Sequence, residues 1–220
     1  MMCPWERFPI YPSTSFCEEQ ICGWVVQPAN TWSNISYLIA AILIFTNKNF
    51  TSTKYWFAPV VLFLFVGSTA YHMSNTVWGH WMDLAGMLAL SGLLLSLTIV
   101  RYFKLAPMYF LGLVTFIVGT SLPNIGVGKR GGLIFLIQCV AAAVVEIATF
   151  KRNNTSKEKR SWILRAVGLF FFALALNIID MRQIWCIPQN HVITLHAIWH
   201  LICGYCIYLV AKYFCYKDEA

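Results

Sequence analysis

The sequence predicts an all-α membrane protein, a bundle of seven transmembrane helices, and three observations carry that expectation. Of the 220 residues, 59% are apolar and only 11% charged, a balance outside the soluble range. Seven apolar stretches are long enough, or nearly so, to cross about 30 Å of hydrocarbon as helices. Lys and Arg gather in alternate connections between those stretches, the asymmetry that orients a multi-pass chain.

Residues 1–30 come first, punctuated by aromatics and Pro without a continuous apolar core, so they read as an outer-side segment and not as a cleavable signal peptide. The run from Pro28 to Asn34 resembles a turn followed by a capped helix start, with Asn30 or Thr31 as the cap. The predicted crossings are residues 31–46, 55–73, 81–100, 107–122, 132–150, 162–179 and 192–214. The first and fourth are short and need a turn of flanking residues or a thinner membrane. Residues 151–160 are hydrophilic and are expected to form a flexible loop. No internal repeat is visible, and the matched interrupted helices that mark many transporters are missing from the pattern. The whole chain, 1–220, is expected to be a single transmembrane domain.

The connections after the first, third and fifth crossings and the C-terminal end hold Lys48, Lys54, Arg101, Lys104, Lys151, Arg152, Lys157, Lys159, Arg160, Lys212 and Lys217. The opposite side holds Arg7, Lys129, Arg130 and Arg182. The expected orientation is therefore N-terminus outside, periplasmic or lumenal, and C-terminus cytoplasmic. The net charge of +7 belongs to inner-leaflet anchoring, and no nucleic-acid partner is needed to explain it.

That orientation brings the polar residues inside the crossings to one depth. Ser68 and His72 fall near the outer end of the second, Asp83 near the outer start of the third, and His196 and His200 in the first turns of the seventh. Residues four apart on a helix share a face, so His196 and His200 can offer two imidazoles to one ion, with His72 as the third. Three protein ligands with a fourth position open is the pattern of a catalytic zinc. Ser68 lies one turn from His72 and could donate to an oxyanion, while Asp83 could take a proton from the attacking water and return it to a leaving amine. Taken singly, each has an ordinary reading: a packed histidine, a serine joining helices, an aspartate capping a helix. Together at one depth they favour a functional centre, since ionisable groups are costly in lipid. His80 and His191 fall in outer loops, where solvated histidines are expected.

These residues carry a resemblance. The run Gly67, Ser68, Thr69, Ala70, Tyr71, His72, Met73, with Asp83 following, and Asn177 through Asp180, Cys186, and His196 to His200 are similar to the alkaline ceramidase family, within a wider heptahelical group that includes the adiponectin and progestin receptors. The resemblance extends from Cys17, Glu18 and Glu19 and Asn30 to Asn34 through the last helix. It implies an intramembrane zinc amidase cutting ceramide into sphingoid base and fatty acid, with His72, His196 and His200 on zinc, Asp83 as acid/base and Ser68 supporting the oxyanion. It also implies calcium near the N-terminus. Here, however, Ser15 stands where an acid is expected and Gln27 where a Glu is expected. A hard cation wants several charged oxygens. The resemblance therefore carries over only weakly to calcium, with Glu18 the one defensible ligand, and whether calcium binds there stays open.

Among eight cysteines, Cys139, Cys203 and Cys206 fall inside helices and Cys215 at the cytoplasmic end, where thiols stay reduced. Cys3, Cys17, Cys22 and Cys186 are on the outer side. A Cys17–Cys186 bridge would tie the N-terminal segment over the mouth of the bundle; the alternative is that all are free. Asn177 and Asp180 are expected to share a network with Arg182, Glu146 to snorkel toward the cytoplasmic edge, Trp24, Trp32, Trp78, Trp81 and Trp185 to form an aromatic belt, and Phe170 to Phe172 to face lipid or pack rather than line a tunnel. The expected partners are a ceramide-like membrane lipid and water. Three other readings stay open: a lipid receptor with structural zinc, a haem protein with axial histidines, and a zinc lipid esterase.

Overall fold

The computed structural model describes residues 2–10, 16–125, 130–153 and 155–217. Ser15 and Lys129 lie outside the described residues. The helices are α1 Pro28–Trp32, α2 Ile35–Thr46, α3 Lys54–Ser74, α4 Val77–Phe103, α5 Met108–Ser121, α6 Arg130–Arg152, α7 Lys157–Met181 and α8 Leu195–Cys215. Six spans are long and apolar enough to cross a membrane, with α1 and α2 together making the first, and the shorter Met108–Asn124 is apolar too. The chain is an all-α, multi-pass membrane protein.

Local chemistry moves several boundaries from their predicted places. The first crossing begins at Pro28, which suits a first turn because it lacks only an N–H that would be unpaired there. Asn30 and Thr31 therefore sit inside α1 and do not cap it. The helix then breaks, because the Ser33 hydroxyl donates to Asn30 O at 3.1 Å and the Asn34 amide to Asn30 O at 2.8 Å, drawing on carbonyls the helix would use. Thr76 caps α4 by accepting from Gly79 N at 3.3 Å, so α4 starts four residues before the predicted 81 and takes in His80. Thr194 caps α8 in the same way, accepting from Ala197 N at 3.0 Å, and 192–194 stay outside the helix. The expected loop at 151–160 is largely helical, since α6 continues to Arg152 and Ser156 caps α7.

The helices form a horseshoe. Around it run α6, α4, α3, α2, α8 and α7, each packed on the next, with α5 on the outside of α4 and with little contact between the two ends, α6 and α7. The α3–α4 seam is the tightest. A Cβ on Gly67 would stand 2.5 Å from Met82 O, and one on Gly86 2.7 Å from Leu64 Cα, so only glycine lets these backbones meet. Gly86→Ala is expected to cost about 1–3 kcal/mol by overpacking, whereas Gly112→Ala, which meets nothing within 4 Å, should be neutral or better. Thermal unfolding of the two detergent-purified variants checks the contrast. On α6, Leu133, Ile137, Val140, Val144 and Ile147 form one exposed apolar stripe, and the five belt tryptophans are all exposed.

Candidate metal centre and cavity

The tight α3–α4 seam and the α1–α2 break set the positions of the histidines. His72, in the last turn of α3, is 1% exposed; His196 and His200, in the first turns of α8, are 5% and 3% exposed. Their ligand atoms lie within 4.8 Å of one another, and among the described residues this trio is the one group able to hold a metal ion.

What surrounds the rings fixes which nitrogen faces inward. His72 Nδ1 donates to Gln27 Oε1 at 2.8 Å, and His196 Nδ1 donates to Asn177 Oδ1 at 2.7 Å. Ser33 Oγ sits 2.8 Å from His200 Nδ1; its own proton goes to Asn30 O, so it accepts from the ring. With every Nδ1 protonated, each Nε2 presents a bare lone pair to the centre. His196 Nε2 and His72 Nε2 are 3.3 Å apart with no proton to share between them. Lone pairs converging so closely in a buried site call for a cation.

Ser68 and Asp83 meet across the α3–α4 seam, where the serine hydroxyl is a hydrogen-bond partner of the carboxyl. Both line a cavity of about 1000 Å³ together with Asn177, His196 and His200. His72 completes the trio behind that wall. Four of the five expected residues therefore share this cavity, and the fifth, His72, joins two of them in the histidine trio. His80 also lines the cavity, 7% exposed, its ring 5.0 Å from that of Tyr71, contrary to the expected solvated loop. His191 is in a loop as expected, yet it contacts Glu18 at 3.1 Å.

Over the histidines lies a strap, residues 16–27. The Cys17–Cys186 disulfide ties it down as expected, and an unanticipated Cys3–Cys22 bridge closes the segment on itself. Cys139, Cys203, Cys206 and Cys215 are free thiols. The Phe16 ring rests 4.1 Å from that of His196 and 5.2 Å from that of His72. Glu18 caps α1, its two oxygens accepting from Ala29 N and Asn30 N at 2.8 and 2.9 Å. Asp180 binds strap to bundle, accepting from Cys17 N at 2.9 Å and His196 N at 3.1 Å; no side-chain contact to Arg182 accompanies it among the described residues, so the expected network with Arg182 does not form.

A family model described as Ceramidase matches residues 10–219, nearly the whole chain. The chain belongs to the ceramidase family. This ceramidase therefore has a ceramide-hydrolysing function in general. No curated protein matches it.

The candidate site of this ceramidase also contains residues to which the sequence alone does not point. From sequence, Gln27 reads only as a missing acid, Asn177 only as a member of a network with Arg182, and Ser33 and Phe16 have no role of their own. A signal existed: three histidines inside apolar helices need three partners for Nδ1, and uncharged Asn, Gln or Ser nearby can supply them at low desolvation cost. Gln27→Leu and Asn177→Leu are each expected to weaken metal affinity about 10–100-fold. Competition against a chromophoric chelator measures it. Phe170 and Phe171 line the cavity instead of only facing lipid. The Phe170 ring meets Phe135 of α6 edge-on at 6.2 Å, across the side where α6 and α7 part.

Proposed function

We propose that the chain is an intramembrane zinc-dependent amidase that hydrolyses ceramide-like lipids to sphingoid base and fatty acid. The observation that carries this reading is the convergence of three unprotonated Nε2 atoms. Their 3.3 Å His196–His72 separation equals the edge of a tetrahedron with metal–nitrogen bonds of about 2.0–2.1 Å, which is zinc's geometry. Three imidazoles converging on one point also argue against haem, whose two axial imidazoles approach the iron from opposite faces of a flat macrocycle.

Zinc held by His72, His196 and His200 would supply Lewis acidity and an acidified water. The chain's own groups do the rest. Asp83 accepts a proton from the attacking water and delivers it to the leaving nitrogen. Ser68, one helical turn from His72, donates to the oxygen on which negative charge develops. Asn177, Gln27 and Ser33 hold the imidazoles in register. Phe16 and the strap keep bulk water off, and the apolar cavity receives the lipid chain. A receptor with structural zinc would have no use for a Ser68–Asp83 pair beside its metal. The chain is one domain, its strap outside and its C-terminus cytoplasmic, with Lys and Arg marking the inner face. The N-terminal region uses Glu18 as a helix cap, and calcium has no part in this reading.

Purified protein given a panel of ceramides and matched lipid esters, with released fatty acid read by mass spectrometry, is expected to cleave the amides. Cleavage of esters alone would replace the amidase by an esterase, and no cleavage of either would restore the receptor.

A further inference from the structure

The cavity is open at its strap end, between α6 and α7. Gly132 and Leu133 on α6 and Ile178 and Met181 on α7 line it and are exposed as well, so they form the lips of a mouth where the two ends of the horseshoe fail to meet. Arg182 is the next lining residue beyond them. It ends α7, yet its N–H still donates to Ile178 O at 3.0 Å, so it keeps the helical register. With Asn177, Ile178 and Met181 it follows the three- and four-residue steps of one helix face, and Asn177 on that face reaches His196 inside the site. The Arg182 side chain therefore leaves the helix toward the mouth, and it is exposed there.

Its guanidinium has no hydrogen-bond, ion-pair or ring partner among the described residues. The acids around the cavity are engaged elsewhere. Asp83 pairs with Ser68, and Asp180 accepts from Cys17 N and His196 N. Glu146, at the far end, does not snorkel as expected from sequence but turns inward, its Oε1 accepting from the Tyr213 hydroxyl and facing Arg101 Nη2 at 3.5 Å. A guanidinium presents a fork of donors that fits phosphate or carboxylate, and a charge at the edge of an apolar cavity is least costly with an anion against it. Snorkelling alone would be served by any face of α7; a place on the cavity face points to a molecule bound in the cavity.

Depth sets the kind of molecule. Asn177 marks the level of the metal centre by holding His196, and Arg182 is five residues further along α7, about 7.5 Å nearer the strap end. With a lipid amide at the metal centre, an atom four bonds from the amide nitrogen, each bond about 1.5 Å long, stands about 5 Å away, within reach of the long arginine side chain. In a sphingoid amide the atom four bonds from that nitrogen is the phosphorus of a phosphate on the primary hydroxyl.

We infer that Arg182 is a specificity residue for the lipid head: the site takes an amide whose primary hydroxyl carries a phosphate in preference to the uncharged lipid, and Arg182 binds that phosphate at the mouth. This rests on the hydrolase reading for placing the amide at the metal centre, but binding tests it without turnover. N-hexanoylsphingosine and its 1-phosphate would each be used to displace a fluorescent N-acylsphingosine from the full chain in detergent. In the parent the 1-phosphate is expected to displace the probe at about tenfold or more lower concentration, and that ratio should shrink between about 0.05 M and about 0.5 M salt. In Arg182→Gln the ratio should fall to near one. Arg130→Gln, which removes an exposed arginine at the start of α6 that does not line the cavity, should keep it. Should Arg182→Gln fail to fold, the ratio in the parent and its salt dependence decide alone. A ratio near one in the parent, an unchanged ratio in Arg182→Gln or an equal loss in Arg130→Gln overturns the proposal. Cleavage of ceramides without the head preference sinks this proposal only; the preference without cleavage of any amide sinks the hydrolase reading only.

Discussion

Asp83→Asn is expected to keep its metal and lose ceramide hydrolysis by about a hundred- to ten-thousand-fold, the range that a positioned acid/base contributes. Asparagine preserves the size of the side chain and can still pair with the Ser68 hydroxyl across the α3–α4 seam, so the cavity keeps its shape. What it cannot do is accept a proton from water and hand it to nitrogen. Ser68→Ala tests the neighbouring role and should cost about two to three orders of magnitude through the developing oxyanion. The two measurements use one assay, with metal content matched to the parent. Fatty acid released at the parental rate by metal-loaded Asp83→Asn would remove Asp83 from the mechanism.

His200→Ala is expected to abolish activity by a different route, through the loss of zinc itself. Removing one of three protein ligands leaves an incomplete shell, and it leaves Ser33 Oγ without the ring proton it accepts. His72→Ala and His196→Ala should behave alike, each stranding its own acceptor, Gln27 or Asn177. Metal analysis of the purified variants distinguishes this loss from that in Asp83→Asn. Zinc remaining near one per chain in His200→Ala would take that residue out of the site.

Why these two routes could be foreseen, and others not, comes down to what a linear pattern carries. The seven crossings were legible because about twenty consecutive apolar residues have few fates besides spanning lipid. The histidines and Asp83 were legible because charge at that depth is costly and therefore conspicuous. The α1–α2 break was not: it depends on Ser33 and Asn34 turning back to Asn30 O and so depriving the helix of its acceptor, which ordinary polar residues do in some contexts and not in others. His80 was misplaced because Thr76, four residues upstream, caps α4 early. Gln27 and Asn177 look unremarkable in the chain, since only the folded bundle sets them 2.8 and 2.7 Å from imidazoles. Glu146 was read as a residue reaching for the membrane edge because nothing in its own helix reveals Tyr213, sixty-seven positions away.

The strap has a consequence for how a metal held by the three histidines would exchange with solvent. Phe16 covers the imidazoles, and a covalent bond from Cys17 to Cys186 prevents that cover from swinging away. Departure of an ion from that site would then be governed by how often the cover opens, a kinetic quantity, more than by how tightly three nitrogens grip. Chelator applied to the oxidised protein should strip metal slowly and to an extent that grows with incubation time. After mild reduction the same chelator at the same concentration should act fast, with the equilibrium affinity little altered. Sluggish stripping of this ceramidase would thus measure a hinge held shut by sulfur.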